Sequence, residues 1–100
     1  MDEKTIDRIT RMEAALDRSI AATAALGRAL DEMEALREEM TALFAYYGSA
    51  DWFADRELPL PPGIRAGVLS EDLVYDEITD LRGETFRMLT LATEILRDRI

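Results

Sequence analysis

The sequence predicts an all-α protein: a long N-terminal helix, an ordered Trp/Pro-containing loop, and two shorter C-terminal helices packed back antiparallel as a helical bundle. Three observations predict it. From Thr5 to Tyr47 there is no Pro and a single Gly, and apolar residues recur with a heptad period. Next comes a stretch rich in Pro and aromatic residues, Leu58-Pro59-Leu60-Pro61-Pro62-Gly63 at its centre, which no helix interior tolerates. Helical patterning then resumes behind Ser70, a residue suited to capping a helix N-terminus.

The first helix is expected over about 5–47. One heptad position reads Ile9, Leu16, Thr23, Leu30, Arg37, Phe44, and the other Met12, Ser19, Leu26, Met33, Met40, Tyr47. Most are apolar or aromatic, which sustains the pattern over about five heptads. Ile6, Ile20, Leu36 and Leu43 widen the stripe, and the many Ala residues between 14 and 29 favour helix and close approach. Asp2 or Thr5 is the expected N-cap and Gly48 the C-terminal stop. Gly27 costs ~1 kcal/mol relative to Ala inside a helix, too little by itself to break one. Such a helix runs ~65 Å, longer than one 100-residue chain can cover with the residues that remain.

Residues 48–69 are expected as a loop, with Ser49 capping a short turn and Trp52 and Phe53 as adjacent anchors. Leu58, Leu60, Ile64, Val68 and Leu69 favour its packing onto the helices. Two helices follow, over about 70–80 and 84–99, separated by a break at Asp80-Leu81-Arg82-Gly83. Met88, Leu89, Leu91, Ala92, Ile95, Leu96, Ile100 and Phe86 spread over most of the last helix's circumference, a face broad enough to touch two neighbours. The whole of 1–100 reads as a single helical domain.

Composition bounds function more tightly than it defines it. With 48% hydrophobic and 33% charged residues, the chain is globular rather than disordered. There is no Cys and no His, which removes thiolate chemistry and the commonest general base and transition-metal ligand. A net charge of −9 argues against direct nucleic-acid binding through phosphates. No apolar run approaches the ~20 residues of a membrane span, and the start lacks a signal-peptide pattern, so a cytoplasmic protein is expected.

Two constellations are candidates for a functional surface. Tyr46, Tyr47, Trp52, Phe53 and Tyr75 hold five of the seven aromatic residues in or beside the loop. They suit a partner-gripping groove, since Tyr and Trp dominate interface hot spots. They suit better an internal role, with Trp52 and Phe53 pinning the loop and the Tyr hydroxyls bonding backbone. Glu71, Asp72, Asp76, Glu77 and Asp80 form the densest acidic surface, and Asp72, Asp76 and Asp80 recur at i, i+4, i+8. A straight helical ridge cannot wrap a cation, so a solvated face is the expectation and no metal site is assigned. Ser49 and Ser70 have no activating base and read as caps. Pro59-Leu60-Pro61-Pro62 formally fits a polyproline ligand but reads as a stiff connector.

The stretches Tyr46-Tyr47-Gly48-Ser49-Ala50-Asp51-Trp52-Phe53 and Gly67-Val68-Leu69-Ser70-Glu71-Asp72-Leu73-Val74-Tyr75-Asp76 carry a resemblance. With Arg87-Met88-Leu89 and Ala92-Thr93-Glu94-Ile95-Leu96, they resemble a family of small bacterial proteins defined as a domain of unknown function. The likeness covers nearly the whole chain and departs at Asp80-Leu81-Arg82-Gly83, where relatives tend to lack Gly. It implies a short helical bacterial protein with no assigned activity, and it transfers no catalytic residue. The functional expectation is a non-catalytic protein–protein interaction module without cofactor, a homodimer with a possible unidentified protein partner. The alternative is an acidic nucleic-acid mimic that inhibits a DNA- or RNA-binding protein: a second acidic run, Asp31, Glu32, Glu34, Glu38 and Glu39, joins the 71–80 cluster in suggesting arrayed phosphates.

Overall fold

A computed structural model describes residues 1–98. The elements in chain order are α1 (Glu3–Tyr46), α2 (Ala50–Arg56), a 3-10 turn (Gly67–Leu69) and α3 (Glu71–Arg97), with no strand among the described residues. The chain is all-α, as the periodicity predicts. It divides into two units, Met1–Glu39 and Met40–Ile100.

The first unit is helix. Asp2 opens it, its carboxylate accepting from the Thr5 backbone N–H at 2.7 Å, so Asp2 rather than Thr5 is the cap. That bond holds the Asp2 carboxyl below its ordinary range. The helix continues through Gly27, where an added Cβ would meet open space. None of its residues is buried.

The second unit begins within α1 and turns at Gly48, whose φ of +77° is left-handed backbone that glycine adopts without strain. Ser49 caps α2, its hydroxyl accepting from the Trp52 N–H at 3.2 Å. A second left-handed glycine, Gly63, closes the Pro-rich turn, where the Ile64 N–H bonds Pro61 O. Ser70 caps α3 by accepting from the Asp72 N–H at 3.3 Å. Its core is small: Trp52 is 2% exposed and Val74 5%, and they are the buried residues among those described.

Three expectations need correction. One continuous helix stands where two were expected, because α3 passes through Asp80-Leu81-Arg82-Gly83 without a break. Gly83 weakens a helix by only ~1 kcal/mol, and the good helix formers on either side carry it. The loop is pinned by Trp52 rather than by its apolar residues together: Phe53, Leu58, Leu60, Ile64 and Val68 are all exposed and Leu69 is half-buried. Phe86, Met88, Leu89, Leu91, Ile95 and Leu96, assigned to helix–helix packing, are exposed too. Ile100 and the expected helix end at 99 lie outside the described residues.

Candidate functional site

The aromatic residues between Tyr46 and Tyr75 do come together in part, and what they build is a latch across the loop. The Trp52 ring is its centre. Ser49 fixes the start of α2 and so fixes the face from which Trp52 projects. The indole Nε1–H donates to Val68 O at 3.0 Å, tying α2 to the 3-10 turn sixteen residues on. Tyr47 meets the same ring edge-on, centroids 5.0 Å apart at 65°, and Phe53 does so from the other neighbour at 5.0 Å and 77°. Such T-shaped pairs set ring positive edge against ring negative face and add ~0.5–1.5 kcal/mol each beyond burial.

Polar bonds close the latch. The Tyr47 hydroxyl donates to Glu71 O at 2.9 Å, holding the end of α1 to the start of α3. Arg56 stacks its guanidinium 4.5 Å from the Trp52 ring centre and pairs with the Glu71 carboxylate at 3.3 Å. That pair is partly exposed, so its value lies in positioning Arg56 over the indole rather than in Coulomb energy. The Tyr46 hydroxyl donates to Asp55 Oδ2 at 2.6 Å, and this bond to a carboxylate pushes the Tyr46 pKa up to about 12. Gly67 allows the turn to approach α3: an added Cβ would lie 3.1 Å from the Leu73 Cδ1.

Tyr46, Tyr47 and Trp52 thus face inward, half-buried or buried, while Phe53 and Tyr75 are 57% and 60% exposed. Tyr75 is outside the ring cluster. Glu71 serves the latch with its carboxylate and its carbonyl, whereas Asp72, Asp76, Glu77 and Asp80 are exposed on α3. Among the described residues, no group of three or more acids is placed to hold a metal ion. Sequence reasoning missed Arg56 and Asp55. The signal for Arg56 is present, a cation four residues after a Trp on a helix, where the two side chains lie one above the other.

The two loops that carry this geometry fall inside a stretch, residues 9–91, that matches the family described as a domain of unknown function, DUF4298. The chain belongs to the DUF4298 family. The match takes in the α1 stripe from Ile9, the whole latch and α3 as far as Leu91, so in this DUF4298 protein the latch is part of the family domain. None of the curated proteins compared matches the chain. No helix among the described residues is long and apolar enough to cross a membrane.

Proposed function

We propose that this protein is a non-catalytic protein–protein interaction module of the bacterial cytoplasm, and that its first partner is a second copy of itself. The observation that carries this reading is the α1 stripe. Ile6, Ile9, Met12, Leu16, Ile20, Leu26, Leu30 and Met33 lie along one side of the helix, each between 38% and 60% exposed. Most of the stability of a protein helix comes from packing its apolar face rather than from propensity, so an uncovered stripe leaves α1 without that contribution. Covering such side chains contributes ~1.5–3 kcal/mol for each one fully buried, so pairing two stripes stabilises both helices at once. The absence of His and Cys supports a role without catalysis, and the net charge of −9 supports protein rather than nucleic-acid partners. Phe53 and Tyr75, outward from the latch, are the aromatic residues available to a further protein partner.

Light scattering over a concentration series, at low and high salt, tests the reading. The expected result is a dimer mass that resists salt, since apolar contacts are not screened. Leu26→Glu places a charge in the stripe and is expected to weaken association at least a hundredfold. A monomer mass at every concentration overturns the reading. The acid mimic is a second reading, favoured by the exposure of Asp72, Asp76 and Asp80 along one face of α3. Recovery of nucleic-acid-binding proteins that duplex DNA competes away would favour it over the first.

A further inference from the structure

We infer that the second copy pairs with α1 antiparallel, about a two-fold axis passing beside Ala21. The inference rests on the self-association reading above and adds to it an orientation and a register. In a two-stranded coiled coil the core positions of an antiparallel partner pair in reflection, so a stripe that reads the same from both ends pairs with itself. Reflection about residue 21 sets Ile9 level with Met33 of the second copy, and Met12 level with Leu30. Leu16 then meets Leu26, and the two polar core residues between Ile9 and Met33, Ser19 and Thr23, meet each other at the centre. A slip of one heptad in either direction sets Ser19 and Thr23 against Leu or Met core residues and leaves their hydroxyls opposed to apolar groups.

The flanks agree with this register. Ala22 lies beside its own copy and Ala15 beside Ala29 on one edge, so the backbones approach closely there, while the bulky Ile20 meets its own copy on the other edge. Charge decides the orientation. Residues 31–39 carry a net −4, while residues 3–11 carry Lys4, Arg8 and Arg11 against Glu3 and Asp7, a net +1. A parallel pair sets the two −4 segments side by side and gains one favourable contact, Arg8 with Glu13. The antiparallel pair separates the acidic segments and lays each along the basic end of the other copy. Lys4 and Arg11 share a heptad position with Glu39 and Glu32, and reflection brings Lys4 within one residue of Glu39 and Arg11 within one residue of Glu32 on one flank. Like charges held side by side cost specificity as well as affinity, so the acidic segment excludes the parallel arrangement.

The chain has no Cys, so single cysteines carry spin labels without ambiguity. Asp7→Cys, Ala14→Cys, Ala21→Cys and Ala35→Cys each place one label on the outer face of α1, away from the stripe. Label-to-label distances within the dimer are expected to be shortest at residue 21. They should grow with an axial offset of about 21 Å at residue 14 and about 42 Å at residues 7 and 35, from 1.5 Å of rise per residue. Distances that stay level along the series mean a parallel pair, and a minimum away from residue 21 means another register; either overturns the inference and leaves a dimer standing. A monomer mass for the unlabelled chain overturns the dimer reading and this inference with it.

Discussion

Residues 47–71 and residues 6–33 hold similar numbers of large apolar and aromatic side chains and treat them in different ways. In the first stretch one indole is enclosed and polar groups around it are partnered: the indole N–H on Val68 O, the Tyr47 hydroxyl on Glu71 O, Arg56 on Glu71. In the second, eight large apolar side chains stand at least 38% exposed along a continuous helix. Directional bonds specify a single geometry with few residues, so the latch needs only a small core. A periodic stripe specifies a face and leaves its cover to be supplied, which is why self-association is the natural reading of α1 and internal closure the natural reading of the loop.

The contrast is broken most severely at Trp52. Trp52→Ala removes the largest buried side chain and orphans Val68 O, at a cost of ~3–5 kcal/mol, comparable with the whole stability of a small unit. Urea unfolding followed by near-ultraviolet circular dichroism should show the latch lost; an unchanged midpoint would mean Trp52 is not its centre. Gly48→Ala forces a Cβ onto left-handed backbone at φ +77° and should cost ~1–2 kcal/mol in the same measurement. Gly27→Ala tests the other region and has the opposite sign. It meets open space and should raise the stability of α1 by ~1 kcal/mol, seen as a higher melting temperature in far-ultraviolet circular dichroism.

The smallest effect sharpens the chemistry of the latch. Tyr46 keeps its proton to about pH 12 in the folded chain, whereas an unfolded tyrosine loses it near its ordinary value of 10. Between these values the folded state binds the extra proton, so stability falls as pH rises. The Tyr46–Asp55 contribution is therefore present below pH 10 and lost between pH 10 and about 12. Tyr46→Phe should remove the tyrosinate transition near pH 12 from an absorbance titration and flatten that alkaline fall. An absorbance titration of the unaltered protein with no tyrosinate transition near pH 12 would refute the bond.

Much of the fold was legible because it is local. Asp2, Ser49 and Ser70 are caps by residue type and position, and Gly48 ends α1 within a residue or two of the expected place. The error at Gly83 came from reading an interior glycine as a stop, although a helix that has Glu84 and Arg87 paired at 2.8 Å beyond it tolerates the weakness. The latch was half legible. The sequence places Trp52 inward as an anchor of the loop and gives the Tyr hydroxyls to backbone, but Val68 O and Glu71 O as the partners depend on how the loop returns. That return is set by left-handed glycine at 63 and close approach at 67, which no periodicity encodes. Phe53 and the apolar loop residues were expected to pack because they are apolar, and one ring proved enough.

The placement of Trp52 also gives the molecule its own optical gauge. It is the single tryptophan in the chain, so red-edge excitation reads the loop closure alone, with no contribution from α1, which has none. The stacked guanidinium of Arg56 and the rings of Tyr47 and Phe53 surround the emitter, so opening the loop changes its colour and lifetime together. Helix content and assembly are reported instead by the backbone and by mass. One label-free sample therefore distinguishes a chain whose loop has opened from a chain whose long helix has unwound.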